Sequence, residues 1–138
     1  MVYPFIKAGP GDIESMGVAT DLSSMENTLV ELDPSQDNTV KAYNGGIGYG
    51  ILVNKPNALT GPSLVAKVQT RGIARWKTGS GGLKANDLVK AAYGGFAVKS
   101  KPDDGDIIYG QCVVGASEGS MASVKWSGPQ FVSIPKKD

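Results

Sequence analysis

Val65-Ala66-Lys67-Val68-Gln69-Thr70-Arg71-Gly72-Ile73-Ala74-Arg75-Trp76-Lys77 is the stretch that decides the fold. β-Branched and aromatic residues dominate it, and it reads as two short extended segments meeting at Arg71-Gly72. A glycine-rich connector, Gly79-Ser80-Gly81-Gly82, follows. The order of residues before this hinge recurs after it, so the stretch separates two tellings of one β pattern.

Upstream, Leu29-Val30-Glu31-Leu32 reads as a strand, and Asp33-Pro34-Ser35-Gln36-Asp37-Asn38 as a turn. Thr39-Val40-Lys41-Ala42-Tyr43 returns, and Asn44-Gly45-Gly46 turns again. Ile47-Gly48-Tyr49-Gly50-Ile51-Leu52-Val53 is a strand whose glycines allow close backbone approach. Downstream, Asp87-Leu88-Val89-Lys90 answers Thr28-Leu29-Val30-Glu31, with Ala92-Tyr93-Gly94-Gly95 as a turn and Phe96-Ala97-Val98-Lys99 as the return strand. Ile107-Ile108-Tyr109-Gly110-Gln111-Cys112-Val113-Val114 then parallels the Ile47 strand, the shared Tyr-Gly pair fixing the register. Ala122-Ser123-Val124-Lys125-Trp126 parallels Leu64-Val65-Ala66-Lys67-Val68, and the tail from Ser127 to Pro135 offers one more short edge strand, limited by proline at each end. A repeat of about 60 residues present twice predicts two pseudo-equivalent β halves in one small single-domain barrel or sandwich, not a solenoid. The competing reading is chance similarity between two glycine-rich β segments.

Composition agrees with an all-β chain. Nineteen glycines and 8 prolines in 138 residues suit short strands joined by turns and suit long helices badly. No apolar run reaches the length of a membrane helix, and the first residues lack the basic-then-apolar pattern of a signal peptide. Histidine is absent, which removes Ser-His-Asp triads, Cys-His dyads and most zinc sites. The competing reading is an enzyme built on Asp, Glu, Lys or Tyr; no catalytic residue, cofactor or metal ligand is expected. Cys112, the single cysteine, lies in an apolar strand and reads as a small buried hydrophobe. Gly79-Ser80-Gly81-Gly82-Leu83-Lys84 lacks the ending and following helix of a phosphate loop. Asp103-Asp104-Gly105-Asp106 lacks the ligand spacing of a calcium loop and reads as a solvated turn.

Charge is unevenly placed. Residues 1–63 carry three lysines against seven carboxylates, a net −4. Residues 64–101 carry eight cations against Asp87 alone, a net +7, and residues 102–138 come to −2. Such a pattern favours an oriented contact with an acidic partner or head-to-tail contact between copies; alternatively the segments neutralise one another within one fold. Lys67, Arg71, Arg75 and Lys77 are the candidate basic contact surface. The alternative function is a β-barrel module that binds single-stranded nucleic acid through residues 64–101, with Lys84, Lys90, Trp76 and Tyr93 beside those cations. A net charge of only +1 argues against it. Residues 1–28 hold no sustained periodicity and read as an N-terminal arm, with residues 29–138 as the barrel domain. Tyr3, Phe5 and Ile6 are candidate anchors by which that arm docks on a neighbour; the other reading is a plain disordered end.

Leu29-Val30-Glu31-Leu32-Asp33, a turn, Thr39-Val40-Lys41-Ala42-Tyr43 and then Gly48-Tyr49-Gly50-Ile51-Leu52 resemble the head decoration (capsid cement) proteins of tailed bacteriophages, in a likeness that runs from Thr28 to Trp126. Thr70-Arg71-Gly72-Ile73-Ala74-Arg75 and the segment from Asp87 to Gly95 add to it. The resemblance implies a compact β-barrel of the β-tulip type with an extended N-terminal arm. It implies a non-enzymatic protein on the outer surface of the virion capsid, often a homotrimer, that stabilises an expanded phage head against internal DNA pressure. Its partners would be the major capsid protein and other copies of itself, with no membrane and no nucleic acid. In that family the arm orders on the capsid, which here would involve Tyr3, Phe5 and Ile6.

Overall fold

The structure of the chain, a computed structural model, describes residues 13–56, 65–101 and 106–131. Within them lie ten strands: β1 (Ile13–Val18), β2 (Leu29–Leu32), β3 (Thr39–Ala42), β4 (Gly48–Leu52), β5 (Ala66–Gln69), β6 (Gly72–Lys77), β7 (Leu88–Ala91), β8 (Ala97–Lys99), β9 (Ile107–Val114) and β10 (Met121–Phe131). No helix is present among the described residues. The first five strands close a barrel in the order β1-β3-β2-β4-β5, and the last five form a second sheet in the order β6-β10-β9-β7-β8. The hinge at Arg71-Gly72 is where the chain leaves one for the other. Gly72 has φ +81° there, a conformation an L side chain resists.

The repeat is real at the level of register. Val30 stands opposite Gly50, and Val89 opposite Gly110. Leu32 faces Val40 as Ala91 faces Ala97, and Leu52 faces Val68 as Cys112 faces Val124. Met16 faces Ala66 as Trp76 faces Ala122, which makes β1 the counterpart of β6. β1 closes the barrel by parallel pairing with β3, Val18 opposite Val40; the matching contact in the second sheet is a single parallel bridge between Thr78 and Ala97. The two halves thus run the same circuit, and each completes a sheet of its own instead of lending strands to one shared barrel. One detail differs from the sequence reading. Val124 corresponds to Val68, not to Ala66, a slip of two residues that keeps every side chain on its face and so leaves no mark on the alternation.

Glycine is needed at the paired positions 50 and 110 because the next strand crosses there. A Cβ on Gly50 would lie 2.6 Å from the Gln69 carbonyl oxygen, and one on Gly110 closer still to that of Lys125.

The halves share a core. Alternation sends Val30 and Leu52 into the barrel, with Met16, Leu22, Val40, Ala66 and Val68. It sends Leu29 and Ile51 the other way, into the core of the second half, with Trp76, Val89, Tyr109, Val124 and Trp126. At Leu29-Val30 and Ile51-Leu52, β2 and β4 are therefore covered on both faces. Trp76, Tyr109 and Trp126 pack with ring centroids 5.4 to 6.0 Å apart, Tyr109 stacked on Trp126. The Gly48 N–H donates to the Tyr109 hydroxyl at 2.9 Å, across the boundary.

The seam between β6 and β8 is filled by the first half. In the barrel, the Gly17 N–H donates to Asn38 O at 2.8 Å; its counterpart, the Lys77 N–H, donates instead to Asn27 O at 2.8 Å. The Asn27 amide reaches Arg75 O at 3.2 Å, and the Leu29 N–H reaches Gly95 O at 2.9 Å. The Trp76 indole N–H also donates to Gly95 O, at 2.7 Å.

Residues 13–28 correct the expectation of an arm running to residue 28. Ile13–Val18 is a barrel strand paired on both sides, and Leu22 is fully buried. The strand escapes a periodicity search because Met16 alone of its six residues is buried. Tyr3, Phe5 and Ile6 lie outside the described residues. At the other end β10 runs on to Phe131 across an irregularity between Trp126 and Gln130, where Gly128 has φ +82°. The rest of the expected tail, residues 132–135, lies outside the described residues, as do Asp103, Asp104 and Gly105.

Candidate functional site: two surfaces of opposite charge

The first surface is the outer face of the second sheet. Ala74, Trp76, Val89, Cys112, Ala122 and Val124 are buried, so the residues between them point outward. Ile73, Lys125, Gln111 and Leu88 stand opposite one another across β6, β10, β9 and β7. The next row holds Arg75, Ser123 and Val114, and the one after it Lys77 and Met121. The register slips between Ser123 and Val124, and this bulge turns both Val113 and Val114 to solvent. Among the described residues, Arg75, Lys77 and Lys125 have no ion-pair partner, whereas Lys90 and Lys99 are held at 3.8 Å by Asp106 and Asp87. The named rows thus hold apolar and neutral polar side chains with three cations and no carboxylate.

The second surface is a groove of about 740 Å³ where the barrel meets the end of β10. Leu32, Pro34, Ile47, Trp126 and Pro129 give it apolar walls, and Glu14 and Glu31 give it carboxylates. Both carboxylates are fixed. Glu31 accepts the Asn44 N–H at 2.8 Å and the Gly46 N–H at 3.2 Å, and lies 3.6 Å from the Lys41 ammonium. Glu14 accepts the Tyr49 hydroxyl on one oxygen and, at 3.3 Å, the Thr70 hydroxyl on the other. The Glu14 hydrogen bond, with burial adding to it, pushes the Tyr49 phenol up to about 12. Burial does the same to Tyr109, also to about 12, although the Gly48 N–H on its oxygen works in the other direction.

The four candidate basic residues divide. Arg75 and Lys77 share the outer face. Lys67 belongs to the barrel, where its ammonium donates to Ser15 Oγ at 2.7 Å. Arg71 is exposed at the hinge. Lys125 is the member that charge counting missed; it sits in an outward position of an alternating run, the signal that could have found it. Trp76 is fully buried and cannot serve as a base-stacking platform, while Tyr93 is 90% exposed on the β7–β8 turn. Cys112 is buried as expected, its thiol pushed up first by burial and then by Asp87. Among the described residues no three His, Cys, Asp or Glu side chains gather in a metal-binding group.

Two five-stranded β units of one topology, interlocked through a common core, define the class of fold. The sequence matches no family and no curated protein. Among solved structures the chain is similar to the N base of the head fiber protein gp8.5 of bacteriophage phi29. The TM-score is 0.64, with 86% of this chain and 96% of that chain covered and 16% of residues identical. The likeness is one of fold.

Proposed function

We propose that this chain is a structural, non-enzymatic protein of a bacteriophage head, seated on the outer surface of the capsid. The observation that carries the reading is the shared fold with a head fiber base over nearly the whole of both chains. The resemblance of the Leu29-to-Leu52 segment to capsid decoration proteins, noted from the sequence, supports it independently. On this reading the protein attaches to the major capsid protein of the expanded shell, with Tyr3, Phe5 and Ile6 as anchors. It reinforces the head as a cement, many weak copies adding up on one lattice. Decoration by a compact β body needs fixed shape and surface rather than reactive groups, and burial of Cys112 and Trp76 fits that need.

Co-sedimentation of the purified protein with bare expanded heads of the phage that encodes it, beside naked DNA, tests the reading. Saturable binding to heads and not to DNA is expected. Deleting residues 1–12 should leave the thermal melt unchanged and lower head binding. Binding to DNA alone, lost as salt rises, would overturn the proposal. The cement role is read separately: heads carrying the protein should retain DNA to a higher temperature than bare ones.

A further inference from the structure

We propose that copies of this chain bind one another head to tail, the outer face of the second sheet of one copy seated on the groove of the next. The charges are matched within one chain. Residues 13–70 carry six carboxylates and three lysines, a net −3; residues 71–131 carry eight cations and five carboxylates, a net +3. The division falls at the hinge between the two β units, so the sequence imbalance becomes a spatial one. Each surface has an apolar centre beside fixed charge. On the face, Val113 and Val114 are 45% and 58% exposed beside Arg75 and Lys125. In the groove, Leu32 and Ile47 are 46% and 55% exposed beside Glu14 and Glu31. The exposed valine pair marks the bulge on the face, and Leu32 and Ile47 both line the groove. Both carboxylates are held in place, Glu31 by backbone N–H groups and by Lys41, which also lines the groove, and Glu14 by hydroxyls alone; among the described residues Glu14 is thus the groove carboxylate that has no cation beside it. Exposed aliphatic side chains gathered beside fixed charge mark contact surfaces more than solvent surfaces. A second copy is the occupant because it carries the complement of both surfaces. The joined patches differ, so the contact is heterologous. It is a property of the isolated chain and stands apart from the head reading.

Sedimentation velocity of the purified chain at about 100 µM, in about 0.05 M and about 0.5 M salt, tests it, since screening shortens the reach of exposed charges across that range. The wild type should associate at low salt and come apart at high salt. R75E/K77E/K125E reverses the face, and L32K/I47K blocks the groove without touching Glu14 or Glu31. Each should be monomeric with an unchanged circular dichroism spectrum. Mixed together they should form one-to-one dimers, because the second variant keeps its face and the first keeps its groove. K55E/K84E/K101E makes the same change in net charge away from both surfaces and should associate like the wild type. A monomeric wild type, association surviving either surface variant, a mixture that stays monomeric, or loss of association in the K55E/K84E/K101E control would each overturn the proposal.

Discussion

Leu29→Ala tests the interlock directly. Leu29 opens a barrel strand, yet its side chain is fully buried in the core of the other half, against the cluster around Trp76 and Tyr109. Truncating a fully buried leucine removes its transfer free energy and leaves a cavity, together about 3 to 5 kcal/mol. That is a large part of the stability of a domain this size, which is on the order of 5 to 15 kcal/mol. With a urea slope of about 2 kcal/mol per molar, the midpoint should fall by about 1.5 to 2.5 M. The decisive companion is Val30→Ala, which empties space in the barrel core alone. Both tryptophans, Trp76 and Trp126, lie in the second half, so their fluorescence follows that half while far-UV circular dichroism follows both. If the halves fold as one body, Val30→Ala moves the two transitions together. A tryptophan transition that stays put while the dichroism transition shifts, or a cost below about 1 kcal/mol for Leu29→Ala, would refute the shared core.

Gly50→Ala and Gly110→Ala should each destabilise by about 1 to 3 kcal/mol in urea melts, because in both cases the added methyl meets a carbonyl on the neighbouring strand. Deletion of residues 1–28 should abolish the folded dichroism spectrum by removing β1, in contrast to deletion of residues 1–12. Tyr49 and Tyr109 have folded pKa values raised to about 12 against an unfolded value of 10.0. Their contribution is therefore complete below about pH 10 and is lost as pH rises through about 12; urea midpoints at pH 8 and 11 should show the fall, and Tyr49→Phe should make it shallower. Cys112 should react with a thiol reagent slowly in buffer and rapidly in urea, as burial of its sulfur requires.

The strands β2 to β4 and β7 to β9 were legible in the sequence because their turns carry Asp, Asn, Pro and Gly at the positions that need them. The repeat was legible because Tyr49-Gly50 and Tyr109-Gly110 answer one strand-crossing problem twice. β1 was not, since one buried residue in six gives no period. The shared core was hidden for a related reason: Leu29-Val30 and Ile51-Leu52 are apolar at adjacent positions, which says that both faces are covered and not by what. For the surfaces, the alternation of Arg75 and Lys77 with Ala74 and Trp76 already placed those two cations together. Lys67 was misgrouped because it lies across the hinge. Lys125 went unnoticed because it joins the patch through pairing with Ile73 on β6 and not through nearness in the chain.

The seam filled by Asn27 and Leu29 gives the molecule a direction in time. The pairings that close the first ring, β1 to β5, lie wholly within residues 13–69. The second sheet has only the Thr78–Ala97 bridge of its own at the corresponding place, and there Asn27 caps the Lys77 amide. A ribosome releases first the part whose strand pairings close on themselves. Leu29 and Ile51 stay uncovered until Trp76, Tyr109 and Trp126 emerge, so the order of synthesis sets when the common core can be completed.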